Sequence, residues 1–339
     1  MDQLIKSMSE AEKPLHGLSL TGGGYRGLFT AKVLELIELE AGKPIGRCFD
    51  LISGTSIGGI IALAVAFEVP MKNLVKLFVD SGDLVFPSQK THGRIGAAMN
   101  FFRYLKSPKY DVQKLRDVIT QLIPENAILG DAIHPVLIPA VNLTAGRPQV
   151  FKTKHLPQWD RDWKYKVIDI ALATSAAPTF FPLAEISNNL YVDGGLFANN
   201  PDLIINHEAT HFLGVKEENL KILSVGSTTQ KYSVGHTRGR NYGYFDWVSD
   251  AKLLNVLFSS QQQFVEQLME HKLGENYVRI DQIPSFEQAN ELGLDVATEG
   301  ARNTLLGLAE KSTTDILFQK LAQFTSYTPS LKVIKENHG

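Results

Sequence analysis

Phe49-Asp50-Leu51-Ile52-Ser53-Gly54-Thr55-Ser56-Ile57-Gly58-Gly59-Ile60-Ile61 is the stretch on which the fold turns. Residues 49–53 read as a short buried strand, Gly54-Thr55-Ser56 as a tight turn, and the small apolar residues up to Phe67 as a helix. A strand that turns directly into a helix is the building unit of an α/β domain. Gly54-Thr55-Ser56-Ile57-Gly58 also fits G-x-S-x-G in that context. Small flanking residues let the backbone turn sharply while the serine hydroxyl protrudes, and the helix N-terminus offers donors to a developing anion. Taken alone, the same five residues also describe a glycine-rich helix start.

Outward from this stretch the rhythm repeats. Further strands are expected at 15–20, 136–142 and 220–225, and helices at 27–40, 71–80, 112–122, 202–212, 247–272 and 297–324. The strand at 15–20 runs into Gly22-Gly23-Gly24-Tyr25-Arg26-Gly27. That run satisfies G-x-G-x-x-G, so a non-catalytic dinucleotide-binding module using Gly22 to Gly27 is one reading. The acid such a module needs at the end of its second strand is missing, because Asp50 precedes Leu51-Ile52 instead of following them. A phosphate loop fits less well, because Leu28 stands where lysine is required. Another use of such a loop is as an oxyanion hole, with glycine N–H groups facing the oxygen of an acyl-transfer intermediate.

A hydrolytic serine needs a base, and no histidine lies in a triad motif. Tyr191-Val192-Asp193-Gly194-Gly195 ends an apolar strand in a carboxylate, so Asp193 is the candidate partner of Ser56, although Asp-Gly-Gly by itself also marks a plain turn. A competing motif is His207-Glu208-Ala209-Thr210-His211, an H-E-x-x-H run on an expected helix, which could place two imidazoles on zinc with Glu208 as base. Its continuation offers Glu217 where a third ligand should be His or Asp.

Composition narrows the classes. With 34 Lys+Arg against 36 Asp+Glu, the net charge of −2 gives no global attraction to nucleic acid, and no nucleic-acid polymer is expected as a partner. The single cysteine, Cys48, excludes an internal disulfide framework. Residues 1–8 contain no apolar signal region, and the longest apolar run, 60–67, is well short of the ~20 residues that span a bilayer, so a cytoplasmic protein is expected. Between Phe86 and Tyr110 the chain carries Lys90, Arg94, Arg103, Lys106 and Lys109 with no acid, interleaved with Met99, Phe101, Phe102 and Tyr104. This stretch reads either as a solvated helix with one core face or as a basic, aromatic contact for anionic lipid. Residues 231–244, rich in Arg, Gly and aromatics around Arg238 and Arg240, read either as an exposed loop or as a weak nucleotide contact.

Three blocks together resemble the signature of the patatin-like phospholipases: Gly22 to Gly27, Gly54-Thr55-Ser56-Ile57-Gly58-Gly59, and Asp193-Gly194-Gly195-Leu196-Phe197-Ala198-Asn199-Asn200-Pro201. Ala173-Thr174-Ser175-Ala176-Ala177-Pro178-Thr179-Phe180-Phe181-Pro182 and Ile222-Leu223-Ser224-Val225-Gly226 agree in order. The resemblance implies an α/β fold with a mainly parallel central sheet between helices, as a three-layer patatin-like domain. The chain is expected to form one domain over 1–339, with a motif core at about 16–227 and a helical completion, a candidate regulatory part, at 228–339. The resemblance itself runs from about His16 to Gly226. It further implies a phospholipase with Ser56 as nucleophile, Asp193 as base and the Gly22, Gly23 and Gly24 amides as oxyanion donors. Arg26 would brace the loop or meet a headgroup, with Gly27, Gly54, Gly58, Gly194 and Gly195 in support. Neither metal nor organic cofactor is required. A narrower resemblance, carried by the run Ile45-Gly46-Arg47-Cys48 into Phe49 to Ile61, is to bacterial patatin-like effectors of anti-phage defence. It implies membrane phospholipid as substrate through peripheral contact with the inner membrane, a cyclic dinucleotide as activator, and a homo-oligomer as one assembly.

Overall fold

The computed structural model describes residues 13–87, 107–228, 233–236, 239–243, 246–247, 252–315 and 318–336. Eight strands form one sheet: β1 (Leu15–Leu20), β2 (Leu51–Gly54), β3 (Val136–Asn142), β4 (Arg147–Lys152), β5 (Ala184–Ile186), β6 (Asn189–Asp193), β7 (Leu220–Val225) and β8 (Tyr277–Ile280). Their order is β5-β6-β3-β2-β1-β7-β8, with β4 paired to β3. Pairings among β3, β2, β1, β7 and β8 are parallel, and those of β4, β5 and β6 are antiparallel. β1 and β2 are buried at every position, so the sheet needs cover on both faces.

Helices supply that cover: α1 (Gly27–Ala41), α2 (Ile57–Ala66), α3 (Met71–Val85), α4 (Val112–Ile119), α5 (Val167–Thr174), α6 (Asp202–His207), α7 (Lys252–Leu273), α8 (Glu299–Asp315) and α9 (Phe318–Thr325). Alternation along β1 divides the core. Leu18 and Leu20 join the cluster built with α1, α2, α3 and α5, whereas Leu15 joins Ile205, Val265 and Met269 of α6 and α7. The result is the three-layer α/β arrangement expected from the sequence. Cys48 is buried and unpaired, and burial pushes its thiol pKa up, which keeps it inert.

Three expected strands, 15–20, 136–142 and 220–225, coincide with β1, β3 and β7. The helix expected over 202–212 ends as α6 at His207 and continues as a π-turn, Glu208–Phe212. The helix expected at 297–324 corresponds to α8 and α9, with 316–317 outside the described residues. β4, β5 and β8 gave no expectation, because β4 opens on exposed and polar residues and β5 and β8 span only three and four residues.

The positions of β2 and β6 prepare the site. Ile52 N–H donates to Pro135 O (3.0 Å), and Leu143 N–H donates to Leu190 O (2.8 Å). These are odd-numbered positions along β3, whereas Val136 bonds towards the β4 side, its N–H donating to Thr153 Oγ1 (3.0 Å). Alternate residues of a strand address alternate edges, so β2 and β6 share one edge of β3. They arrive from opposite ends: Ser53 pairs with Leu137, while Asp193 pairs with Ala140. Their tips therefore face each other across Pro139, a residue with no N–H to leave unpaired in the gap.

Among the described residues, no helix is long and apolar enough to cross a membrane.

Candidate active site

Ser56 follows the tip of β2 with φ 56° and ψ −127°, a conformation that costs a non-glycine residue about 1–3 kcal/mol. Its neighbours make the turn possible. A Cβ at Gly54 would come within 2.0 Å of Gly58 O, and one at Gly58 within 2.4 Å of Leu20 O. Thr174 holds the turn from outside: its hydroxyl accepts from Ser56 N–H (3.0 Å) and donates to Pro139 O (2.7 Å), filling the gap between the two strand tips. An N-cap serine commonly uses its hydroxyl on the helix that follows, but Ser56 makes no such cap bond to α2. Its side chain instead faces the Asp193 carboxylate and works against the rise in that group's pKa.

Asp193 is 2% exposed and accepts from Gly195 N–H (2.7 Å). Burial raises its pKa from 3.8 to about 6, and the Ser56 hydroxyl and the Gly195 amide work against that rise. The carboxylate is thus basic enough to take a hydroxyl proton yet ionised at neutral pH.

The glycine loop reaches the same place from β1. Gly22 does not fill its expected role as a donor: its N–H already donates to Asn199 O (3.0 Å), while Gly22 O accepts from Ser227 Oγ (2.9 Å). Gly23 and Gly24 line the cavity beside Ser56, and their N–H groups have no acceptor among the described residues. Gly24 has φ 57°, and Leu294 O sits where its Cβ would be. Leu294 O in turn accepts from Tyr25 N–H (2.8 Å). Arg26 braces the loop rather than the cavity, donating to Gly23 O (3.3 Å) and Thr228 O (3.4 Å). Burial lowers its pKa to about 10, with Asp281 opposing.

Above the dyad lies a cavity of roughly 1000 Å³, its open mouth included, walled by apolar side chains such as Leu74, Phe78, Val85, Ile119, Leu122 and Phe181. An apolar lining of this kind suits a lipid chain. Phe86 and Tyr110, which bracket the basic aromatic stretch, meet edge to face at 5.3 Å beside Phe181. Tyr110 donates to Asp295 Oδ2 (2.6 Å), and Lys109 is ion-paired with the same carboxylate. The remainder of that stretch, 88–106, lies outside the described residues, as does Arg238; Arg240 is exposed.

Two alternative readings fail on geometry. In the H-E-x-x-H run, His207 and His211 are exposed and stacked at 4.9 Å, but Glu208 turns inward. It binds Lys152 (2.5 Å), Trp159 Nε1 (2.7 Å) and His155 Nε2 (3.1 Å). Burial pushes its pKa up, yet His155 and Lys152 prevail and hold it below the usual carboxylate range. It is a buried counter-ion and cannot serve a zinc-bound water on the outer face. The third candidate ligand, Glu217, pairs with Lys272. The dinucleotide reading fails because the face of Gly24 is occupied by Leu294. Asp50 is no ribose ligand either, since it accepts from His16 N–H (3.0 Å), Tyr327 OH (2.7 Å), Ser330 N–H (2.7 Å) and Leu331 N–H (3.0 Å) to tie down the C-terminal segment.

Sequence reasoning missed the residues that hold the loops. Asn199 and Thr174 stand inside the quoted blocks, and their polar side chains amid small and apolar neighbours were the available signal. Arg279 carried none: it donates to Thr21 Oγ1 (2.9 Å), Ser224 Oγ (2.7 Å) and Asp281 (2.8 Å), and pairs with Glu266 (3.0 Å).

A strand-to-helix serine, a buried aspartate two glycines before a helix, and a glycine loop over an apolar cavity define a class of acyl hydrolase. The family model for patatin-like phospholipases matches residues 18–203, and the chain belongs to that family. It is 38% identical over 310 residues to a cGAMP-activated phospholipase of Pseudomonas aeruginosa, covering 90% of each chain. It is 36% identical over 320 residues to a cGAMP-activated phospholipase of Vibrio cholerae, covering 88% of this chain and 90% of the other. Among solved structures it is similar to VipD of Legionella pneumophila at a TM-score of 0.43 and 14% identity, over 88% of this chain and 67% of that one.

Two stability predictions follow from this geometry. Between pH 3.8 and about 6 the native state binds the Asp193 proton more tightly than the unfolded chain, so stability falls as pH rises through that window. The shift corresponds to about 3 kcal/mol once ionisation is complete. Asp193→Asn should therefore be more stable than wild type in urea unfolding at pH 7.5, and the advantage should shrink at pH 5. Thr174→Val should lose about 1–3 kcal/mol in the same assay, because it strands Ser56 N–H and Pro139 O. Thr174→Ser should retain most of that stability.

Proposed function

We propose that the protein cleaves membrane phospholipid esters through a Ser56–Asp193 dyad. The observation that carries this reading is Ser56, held at φ 56° with its hydroxyl facing a buried carboxylate at the foot of an apolar cavity. Asp193 takes the Ser56 proton as Oγ attacks the ester carbonyl. The free amides of Gly23 and Gly24 hold the oxyanion, while Gly22 fixes the loop that carries them. The tetrahedral intermediate collapses as the proton on Asp193 passes to the departing lysolipid oxygen. Water then gives a proton to Asp193, attacks the acyl-serine and releases the fatty acid. No step requires a metal or an organic cofactor.

Ser56→Ala and Asp193→Asn should each lower fatty-acid release by roughly 10³-fold or more. A fluorophosphonate should label wild-type Ser56, a chelator should leave activity unchanged, and turnover should fall as pH drops through about 6 because the base is protonated there. Labelling at another serine would refute the assignment.

We infer further that a cyclic dinucleotide activates the enzyme for anti-phage defence, with peripheral contact at the inner membrane through residues 86–110. Two relatives are cGAMP-activated phospholipases, which supports the activator. Within a single domain spanning 1–339, the C-terminal third contributes Leu254, Phe258 and Leu294 to the cavity, which gives a ligand there a route to the site. With anionic phospholipid vesicles as substrate, cGAMP should raise fatty-acid release by about 10-fold or more, a coupling within the usual range for allosteric ligands. High basal release that no cyclic dinucleotide alters would count against regulation while leaving the dyad intact.

A further inference from the structure

The two ester oxygens are served unequally. The carbonyl oxygen has two fixed hydrogen-bond donors, the Gly23 and Gly24 amides. The alkoxy oxygen receives the Asp193 proton as the C–O bond breaks, but no fixed hydrogen-bond donor holds it while negative charge gathers there. An alkyl alkoxide is a poor leaving group, and a donor already in place there would lower the barrier.

One unassigned group meets that need. Ser175 is 6% exposed, and its Oγ is a buried polar atom with no hydrogen-bond partner among the described residues. A buried hydroxyl without a partner requires an explanation, because desolvation is not compensated in the free protein. Ser175 lines the same cavity as Ser56, Asp193, Gly23 and Gly24. It stands between the residues that lock this segment to the base: Asp193 N–H donates to Ala176 O (3.1 Å) and Gly194 N–H to Thr174 O (3.4 Å). The preceding residue, Thr174, is bonded to Ser56 N–H (3.0 Å). Ser175 is therefore fixed by backbone bonds beside both members of the dyad, on the segment bonded to Asp193, whereas the glycine loop follows β1.

We propose that Ser175 Oγ is a catalytic donor to the leaving-group oxygen of the ester, an inference that rests on the Ser56–Asp193 reading. During collapse of the intermediate, the carbon–alkoxy bond breaks and the proton on Asp193 moves to the alkoxy oxygen. The Ser175 hydroxyl donates a hydrogen bond to that oxygen throughout and transfers no proton. In the second half-reaction the attacking water occupies the vacated position. The same hydroxyl then orients it while Asp193 removes its proton.

Leaving-group dependence tests this directly. A nitrophenyl ester departs as a stabilised phenolate and needs little help, whereas the lysolipid oxygen of a glycerophospholipid is strongly basic and must be hydrogen-bonded and protonated as it leaves. In the full chain, assayed with cGAMP present, Ser175→Ala should lower the single-turnover release of lysophospholipid by about 10- to 100-fold. The nitrophenol burst should change less than about 3-fold, the remainder expected when one weak binding contact is lost. Ser175→Cys, close in shape with a weaker donor, should give the same split in smaller measure, and Ser175→Thr should restore part of the phospholipid rate. Equal losses on both esters would mean a structural role, and no loss on either would mean no role; each overturns the proposal. Fluorophosphonate labelling of Ser56 separates the layers. If wild type is not labelled there, the dyad reading fails, whereas labelled variants without the leaving-group split refute Ser175 alone.

Discussion

Everything at the site depends on an interruption in one strand edge. β2 and β6 both bond to the same edge of β3 from opposite ends, and neither reaches Pro139. Had that edge been continuous, one strand would have run past the other and Ser56 could not face Asp193. Proline makes the gap tolerable, since the missing N–H leaves only a carbonyl to satisfy, and Thr174 satisfies it. The same hydroxyl accepts from Ser56 N–H, so one buried side chain closes the sheet and holds the strained turn. Strain of this kind persists only where surrounding bonds over-determine it. Here the close backbone contacts at Gly54 and Gly58 complete the restraint.

That geometry also sets the basicity of Asp193. It lies at a strand end inside the fold, where no cation among the described residues partners it; burial raises its pKa against the Ser56 hydroxyl and the Gly195 amide. An arginine at the same distance would have lowered it and removed its basicity. The contrast with Glu208 is instructive. Both carboxylates are buried, but Glu208 has Lys152 and His155 on it and is held as an anion of no catalytic use. Burial alone therefore does not identify a catalytic acid, and the charge of its neighbours decides.

The legibility of the sequence follows the same division. β1, β3 and β7 were readable because central parallel strands are apolar on both faces, and G-x-S-x-G was readable because close backbone approach permits only glycine. Asp193 could be chosen because it ends an apolar run before two glycines. By contrast, β4, β5 and β8 are short, edge-like or amphipathic, and their pairing depends on distant partners. Gly22 looked equivalent to Gly23 and Gly24, and only the tertiary bond from its N–H to Asn199 distinguishes it. H-E-x-x-H matched a zinc pattern perfectly in one dimension. A π-turn and a lysine 56 positions away gave its glutamate another role.

The C-terminal third then appears as part of the glycine loop's support. Leu294 O holds Tyr25 N–H, Arg279 holds Thr21, and Asp281 accepts from Thr228 N–H (2.8 Å) beside the carbonyl that Arg26 grips. Burial works against the Arg279 charge, but Asp281 and Glu266 outweigh it and keep it firmly protonated, so this brace is permanent across the physiological range. The Leu294 contact is different in kind. It is a single backbone bond on a segment whose next residue, Asp295, binds Lys109 and Tyr110 at the border of the basic aromatic stretch. The glycine loop is thus clamped by a rigid ionic network on one side and by a short strap on the other. The two supports differ in what their loss would cost: breaking the Arg279 network would leave uncompensated charge inside the protein, whereas the strap rests on one backbone bond.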